Sequence, residues 1–294
     1  MLKSSKVVMT ILVKNEIDII EANIRTHANL GIDGFVVMDN KSTDGTRDIL
    51  SKLQKEFDIK IIDENRIYNQ SRFMIKLAKI AKKEFNANWV INNDADEFWI
   101  PKNGLSLKEN LNFWGSVLTV NRYNMILQRD KPFFKSNYFV KNPIYYSKEN
   151  QLKGEGSIIL TKIAPKTIVN PKGLLYIRGG NHKALHTKNI KDYLRSGYEK
   201  IDRFKNIEVF HFPVRSYEQF KKNIENRKRL LESSRKVSMG PHYRRWVKLY
   251  NENRLEEEFY KNILFDKKDI NTLARYNILQ YNNTIKDKII IQNS

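Results

Sequence analysis

Trp89-Val90-Ile91-Asn92-Asn93-Asp94-Ala95-Asp96-Glu97-Phe98 is the stretch on which the fold turns: an apolar, β-branched run opens directly into three carboxylates within four residues. The run predicts a buried strand, and a strand of an α/β sheet delivers the residues at its carboxyl end into the crevice where ligands bind. Asp94 and Asp96, one residue apart, would concentrate negative charge there, and a divalent cation relieves such repulsion. Hard oxygen ligands without a thiolate partner suit Mg2+ or Mn2+, ions that bridge carboxylates to substrate phosphates. An isolated Asp-x-Asp is more often an acidic turn at a helix start. The strand before it and the segments upstream count against that reading here.

Those upstream segments repeat one rhythm of apolar strand, polar turn and amphipathic helix, the pattern of a parallel α/β sheet. Strands are predicted at 6–12, 35–38 and 59–62, and helices at 17–28, 46–57 and 71–85, with Asn15 placed to cap the first helix and Gly31 to stop it. Asp39 and Asp63 follow their strands as Asp94 follows its own. Asp39-Asn40-Lys41-Ser42-Thr43-Asp44-Gly45-Thr46 is a small, polar, glycine-containing turn at a strand end, where side-chain acceptors can read a base or ribose edge. Ser42, Thr43 or Asp44 can equally cap the next helix, and the two readings are compatible.

The 294 residues suffice for one large α/β domain with an appendage, or for two small domains. A hydrophobic content of 40% with 11% aromatics marks a folded chain, and no run approaches the roughly 18 apolar residues of a membrane span. Residues 1–13 read as a first strand, not a signal peptide. With no cysteine there are no disulfides and no thiolate metal sites, which fits a cytoplasmic protein. The formal net charge of +20 is unevenly placed: residues 1–100 hold 15 Lys/Arg and 15 Asp/Glu, so the whole excess lies beyond the acidic stretch. A basic second half implies an anionic partner, whether substrate phosphates, an anionic membrane surface or nucleic acid.

Beyond Pro101 the periodicity weakens. Strands are predicted at 117–120, 157–160 and 207–212, and a helical pattern rich in lysine and arginine begins at Tyr217, with Phe220, Ile224 and Leu231 on one face. The basic run from Lys221 to Arg245 is a solvated helix face or a membrane-surface contact. Nucleic acid is not expected as a partner, because no zinc-finger, RRM or KH signature accompanies the charge.

Taken together, Thr10 to Glu16, Asp39 to Thr46 and Asn93 to Phe98 resemble the nucleotide-sugar half of a family-2-type glycosyltransferase with the GT-A fold. His27 before Leu30-Gly31-Ile32-Asp33, Gln70 leading the third helix, and Asp94-Ala95-Asp96-Glu97-Phe98 followed by Pro101 resemble a bacterial family-2-like subgroup with a D-x-D-E-F signature. The resemblance is specific over residues 6–101 and looser through Gly180-Asn181-His182 and His211 to Tyr217. It implies a Rossmann-like, mixed and mostly parallel sheet flanked by helices, with a catalytic domain at 1–214 (sugar-nucleotide half 1–101, acceptor half 102–214) and a helical basic extension at 215–294. It also implies transfer of a sugar from a nucleotide diphosphate, with a UDP-sugar as expected donor, to a glycan acceptor such as a surface polysaccharide or lipid-linked saccharide. Inversion at the anomeric carbon and Mn2+ or Mg2+ as cofactor follow by the same resemblance, although the missing acid pair and the strand-end histidine are also compatible with retention. The cysteine-free composition and the basic second half set the expected location as cytoplasmic, peripheral at the inner membrane face.

Carried over by position, Thr10, Asn15, Glu16, Asp39, Asn40, Ser42, Asp63, Arg72 and Asp94 would line the sugar-nucleotide pocket, Asp39 accepting from the base and Arg72 approaching the nucleotide. Asp94 would face the ribose or the metal, Asp96 would bind the metal, and Glu97 would orient Asp96 from behind in preference to assisting the metal or capping the following turn. An inverting transferase needs a base for the acceptor hydroxyl, and Glu155, His182 and Asp192 are the candidates. His211, at a strand end before proline, is a candidate third metal ligand. The alternative to an enzyme is a non-catalytic basic module for nucleic acid or anionic membrane on a GT-A-like scaffold. A nucleotidyltransferase ranks lower, for want of a glycine-rich phosphate loop near the first strand.

Overall fold

A computed structural model describes residues 5–66, 68–191, 202–233 and 240–291. In chain order the first elements are β1 (Val7–Val13), α1 (Ile20–Asn29), β2 (Gly34–Asp39), α2 (Thr46–Leu53), β3 (Ile59–Asp63), α3 (Gln70–Phe85), β4 (Trp89–Asp94), β5 (Glu97–Pro101), α4 (Leu107–Asn110) and β6 (Val117–Asn124). There follow β7 (Leu127–Gln128), β8 (Tyr138–Val140), α5 (Lys148–Lys153), β9 (Lys166–Val169), β10 (Leu174–Ile177), β11 (Ala184–His186) and β12 (Asp202–His211). The chain closes with α6 (Tyr217–Ser233), α7 (Pro241–Asn251), α8 (Leu255–Asn262), β13 (Leu264–Phe265), α9 (Lys267–Arg275), β14 (Leu279–Tyr281) and α10 (Thr284–Lys288).

The described residues fall into two compact units, one from Met1–Arg122, Ala164–Phe210 and Lys288–Ser294, the other from Tyr123–Ile163 and His211–Asp287. The first is built on an eight-stranded mixed sheet of order β3-β2-β1-β4-β9-β6-β12-β5. Its β3-β2-β1-β4 block is parallel, and β9 pairs antiparallel with both β4 and β6. The strands of the parallel block read as continuous apolar runs because the sheet is covered on both faces. α3 supplies one cover: Phe73, Met74, Leu77, Ala78, Ala81 and Phe85, spaced at three and four residues, pack on Val8, Val36, Met38 and Val90. This is the mixed α/β architecture expected from the sequence.

The second unit has its own core, in which Ile126, Leu127, Val140, Ile159 and Leu160 pack with Val214, Phe220, Ile224, Trp246 and Phe259. Segment 123–163, assigned by sequence to the first domain, therefore folds with the C-terminal helices. The strand expected at 157–160 is a 3-10 turn, Ile158–Leu160, started by the Ser157 hydroxyl accepting from the Ile159 amide. The basic run 221–245 lies on two helices, α6 and α7, with 234–239 outside the described residues. Phe220 and Ile224 are buried while Lys221, Lys222 and Arg229 are exposed, as an amphipathic surface helix requires. Among the described residues no helix is long and apolar enough to cross a membrane.

α1 starts at Ile20, later than expected, and Asn15 does not cap it. Asn15 adopts a left-handed conformation (φ 59°), and its side-chain oxygen accepts from the Thr43 amide instead. On the buried face of α1, His27 accepts from the Trp99 amide through Nε2 (3.0 Å), so its proton resides on Nδ1 and is donated to the Asn23 carbonyl (2.8 Å). Burial pushes the imidazole down to about 3. In the unfolded chain histidine titrates near 6.5, so between these values the unfolded chain binds a proton that the folded chain refuses. The His27 contribution is complete above about pH 6.5 and is lost as pH falls toward about 3. In urea titrations across this window, the stability advantage of wild type over non-titrating His27→Gln is expected to shrink by up to about 1.4 kcal/mol per pH unit. A constant gap would refute the assignment.

Candidate functional site

Strand register fixes the site. In the parallel block Val13 lies opposite Asp39, Asp39 opposite Asp63, and Leu12 opposite Asp94. The three aspartates therefore stand along one edge of the sheet, Asp39 and Asp63 on adjacent strands and Asp94 one strand beyond β1. At about 4.8 Å per strand, Asp39 and Asp94 are roughly 10 Å apart, enough for a ligand to lie across the edge. The amino ends of α2 and α3 follow β2 and β3 at this edge, and helix amino ends favour anions.

The Asp39 loop is held by its own side chains. Asp39, 5% exposed, accepts from the Ser42 amide (3.2 Å) and hydroxyl. The Ser42 oxygen accepts in turn from the Asn15 amide (2.9 Å), Glu16 N–H donates to Thr46 Oγ1 (2.9 Å), and Asn40 donates to the Glu64 carbonyl (2.8 Å). The helix-start reading is corrected in its residue: Gly45, left-handed (φ 97°), holds the cap position without a side-chain cap, and Asp44, one residue before it, accepts from the Thr46 amide (3.0 Å). Asp63 pairs with Arg47 (2.7 Å), whose guanidinium holds the carboxyl below its usual range. Arg72 is exposed on the first turn of α3. Thr10, expected to line the pocket, is 0% exposed in mid-strand, and its hydroxyl is directed to Ile91 O and Asn92 Oδ1 within the sheet.

Ala95 and Asp96 form the turn between β4 and β5, so Asp94 ends one strand and Glu97 begins the next. A buried amide network pins this turn from behind. Asn23 donates to the carbonyls of Ala95 (2.8 Å) and Glu97 (2.9 Å), Asn93 donates to Asn23 Oδ1 (3.0 Å), and the Trp99 indole donates to Asn93 Oδ1 (2.8 Å).

In front of the turn stands a lysine that sequence reasoning missed. Lys166, first residue of β9 and 0% exposed, donates to Asp94 Oδ2 and to Glu97 Oε1 (3.1 Å). Arg122 from neighbouring β6 donates to the same Glu97 oxygen (2.6 Å). Asp94 Oδ1 accepts from Gln70 (3.3 Å) and Asn181 (3.2 Å), so both Asp94 oxygens are engaged. Glu97 is also 0% exposed, and its second oxygen, Oε2, has no hydrogen-bond partner. A buried carboxylate oxygen without a partner beside a half-buried Asp96 fits a hard cation. The open Glu97 oxygen fits the reading, weighed from the sequence, in which Glu97 assists the metal.

Of the three base candidates, His182 lies in this neighbourhood. Its Nδ1 donates to the Pro165 carbonyl (2.9 Å), which places the imidazole lone pair on Nε2. Burial first, then the nearby charges of Lys166 and Arg122, push its pKa down to about 4, while Asp94 opposes the shift. Glu155 is exposed in the second unit, beyond α5, and Asp192 lies outside the described residues. His211 ends β12, and its Nδ1 pairs with Asn124 Oδ1 (2.8 Å).

The sequence profile of Glycosyl transferase family 2 matches residues 9–163. No curated protein matches the chain. Among solved structures it is similar to Staphylococcus aureus TarS 1-349 in complex with UDP, at 14% identity over 87% of this chain and 72% of that one, with a TM-score of 0.41. It is also similar to Mycobacterium tuberculosis glucosyl-3-phosphoglycerate synthase in complex with Mn2+, UDP and phosphoglyceric acid, at 14% identity, 74% and 73% coverage and a TM-score of 0.39. Family membership rests on the profile match, which spans more than half of the chain.

Gly180 ties these parts together. It is left-handed (φ 82°), its amide donates to Gln70 Oε1 (2.7 Å), and a β-carbon there would come within 2.5 Å of His182 Cδ2 and Nε2. Gly180→Ala is expected to lower stability by roughly 1–2 kcal/mol through the left-handed backbone alone. It should also displace the imidazole. Thermal melting together with the histidine NMR resonances of this variant checks both effects, and an unshifted His182 signal would contradict the packing described.

Proposed function

Because the chain belongs to glycosyl transferase family 2, a family of glycosyltransferases, we propose that it moves a sugar from a nucleotide diphosphate to a hydroxyl of a glycan acceptor, with inversion and with a divalent cation. The observation that carries this reading is the register that lines Asp39, Asp63 and Asp94 along one sheet edge beside two helix amino ends. Asp39 receives the base end of a UDP-sugar, and the diphosphate reaches the Asp94–Glu97 turn. Mn2+ or Mg2+, held by Asp96 and the open oxygen of Glu97, would offset the charge that grows on the leaving diphosphate. Lys166 and Arg122 add fixed positive charge at the same place.

His182 is the proposed base. As the acceptor oxygen attacks the anomeric carbon and the bond to the diphosphate breaks, Nε2 takes the hydroxyl proton. A pKa near 4 keeps the free imidazole neutral across the physiological range, and the negative charge of a bound sugar nucleotide raises it, strengthening the base once the substrate is present. Membrane-surface contact through the basic C-terminal helices remains part of the proposal only as a means of reaching a lipid-linked acceptor.

A screen of nucleotide-sugars by thermal shift with Mn2+, run in parallel on Asp96→Ala, tests the reaction class. One sugar nucleotide is expected to raise the melting temperature of wild type and not of the variant. Equal responses, or none to any sugar nucleotide, would remove the reading. For the base, His182→Ala is expected to lower kcat by about 10²–10⁴-fold. In wild type the rate should fall as pH drops through the His182 pKa, with the limb in kcat/KM near 4 and the limb in kcat displaced upward. Coincident limbs would argue against His182.

A further inference from the structure

We infer that a groove in the second unit is a binding site for a phosphate monoester on a hydroxylated stem, the chemistry of a sugar phosphate. The groove, of about 310 Å³, is formed by the end of α5, one face of α7 and the start of α8, all within that unit. The nucleotide-sugar reading makes no use of it. Arg245, Lys248, Leu249 and Glu252 line it at the three- and four-residue spacing of a single helix face. Lys153 joins them from α5, and Arg254 and Lys261 from the α8 side.

The site is built around Arg245. Its side chain is 13% exposed, against 55% for Lys153, 56% for Arg254 and 75% for Lys248, so it is set deeper than these three. Gly154 makes room for it: the residue is left-handed (φ 72°), and a β-carbon there would come within 2.5 Å of the guanidinium. Buried Glu258 accepts from Arg245 and, on the same oxygen, from the Trp246 indole (3.0 Å). Its other oxygen accepts from Asn262 (2.8 Å), whose amide also donates to the Gly154 carbonyl (3.3 Å). Both Glu258 oxygens are thus spent on the frame, while Arg245 Nε has no hydrogen-bond partner. A guanidinium carries five donors in a fork that fits phosphate oxygens, and Glu258 does not exhaust them.

Charge sets the ligand class. Five cations and three carboxylates line the groove, and the surplus of two matches a phosphate monoester, which carries about −1.5 to −2 at neutral pH. The carboxylates are already matched: Glu252 by Lys248 (3.8 Å) and Arg254 (3.9 Å), Glu257 by Arg254 (3.1 Å), and Glu258 by Arg245. Lys153 pairs with Glu149 (2.7 Å), but both are more than half exposed and water screens that pair. Exposed Lys261 has no carboxylate partner among the described residues. Glu257 meets Arg254 through Oε2, leaving Oε1 to accept from a hydroxyl of the stem. The volume lies at the small end of ligand pockets and suits a small molecule. A flat bilayer would meet the outer lysines before Arg245, whereas a phosphate on a narrow stem reaches it.

The test is isothermal titration calorimetry of the full-length chain with glucose 6-phosphate, inorganic phosphate, dimethyl phosphate and glucose. Glucose 6-phosphate is expected to bind one to one, more tightly than inorganic phosphate, with dimethyl phosphate and glucose far weaker. Lys153→Met/Lys261→Met, which alters two exposed positions, should weaken glucose 6-phosphate by about tenfold, and Arg245→Met should abolish its binding. If Arg245→Met does not fold, the double lysine variant decides alone. Saturating UDP with Mn2+ should leave the binding unchanged, because the groove is not the sugar-nucleotide site. No binding up to about 10 mM, full binding by the double lysine variant, or displacement by UDP overturns the site. Inorganic phosphate binding as tightly as glucose 6-phosphate overturns the hydroxylated stem, and dimethyl phosphate binding as tightly overturns the monoester. Loss of the nucleotide-sugar reading, by contrast, would leave each of these outcomes intact.

Discussion

The register of four parallel strands is the constraint from which the rest of the site follows. Parallel pairing puts every carboxyl end of the block on the same side, and the one-residue offsets decide which side chains meet there. A slip of one residue in β2 would turn Asp39 toward the opposite face and bring Asn40 into its place. Because β1, β2 and β4 are buried on both faces, such a slip would also drive polar residues into the core. The hydrophobic packing of α3 on Val8, Val36, Met38 and Val90 therefore fixes the spacing of acids that lie well outside the apolar core.

A site made this way carries more negative charge than a fold tolerates without compensation, and the chain answers differently at each position. Asp63, exposed at the sheet margin, has a surface arginine, an arrangement that is weak and salt-sensitive. Asp39, nearly buried, has no cation among its bonding partners in the described residues but accepts from the backbone and hydroxyl of Ser42, which leaves capacity for an external hydrogen-bond donor. The Asp94–Glu97 turn, the most crowded, has buried cations. Removing one partner of a buried pair leaves an uncompensated charge, so this last arrangement is the one whose loss the fold feels most.

The donor half was legible from sequence because its signals are local. Apolar runs of five to seven residues, aspartates at their ends and helices with a clear apolar stripe need no knowledge of distant partners, and the strands and helices lie close to where the pattern places them. The burial of Thr10 was not legible, because a mid-strand position looks the same in one dimension whether its face is open or covered. Lys166 was invisible for a different reason. It is one of 53 Lys/Arg in the chain, it opens a four-residue strand, and its meaning comes from a strand pairing that brings it to Asp94, 72 positions earlier. Segment 123–163 was likewise assigned by adjacency, whereas its core partners lie beyond residue 210.

The Gly179–Asn181 turn shows how closely the two halves of the proposed chemistry are coupled. Gly180 and Asn181 are both left-handed, at φ 82° and 59°, a pair of conformations that reverses the chain within two residues. The reversal sends Asn181 to Asp94 and the next residue, His182, to the Pro165 carbonyl, one residue before Lys166. Gln70, at the start of α3, closes the loop by bonding both Asp94 and the Gly180 amide. The base candidate and the acid turn are thus held by one short segment braced against a helix. The backbone of this segment therefore sets the separation between the proposed proton acceptor and the acid turn.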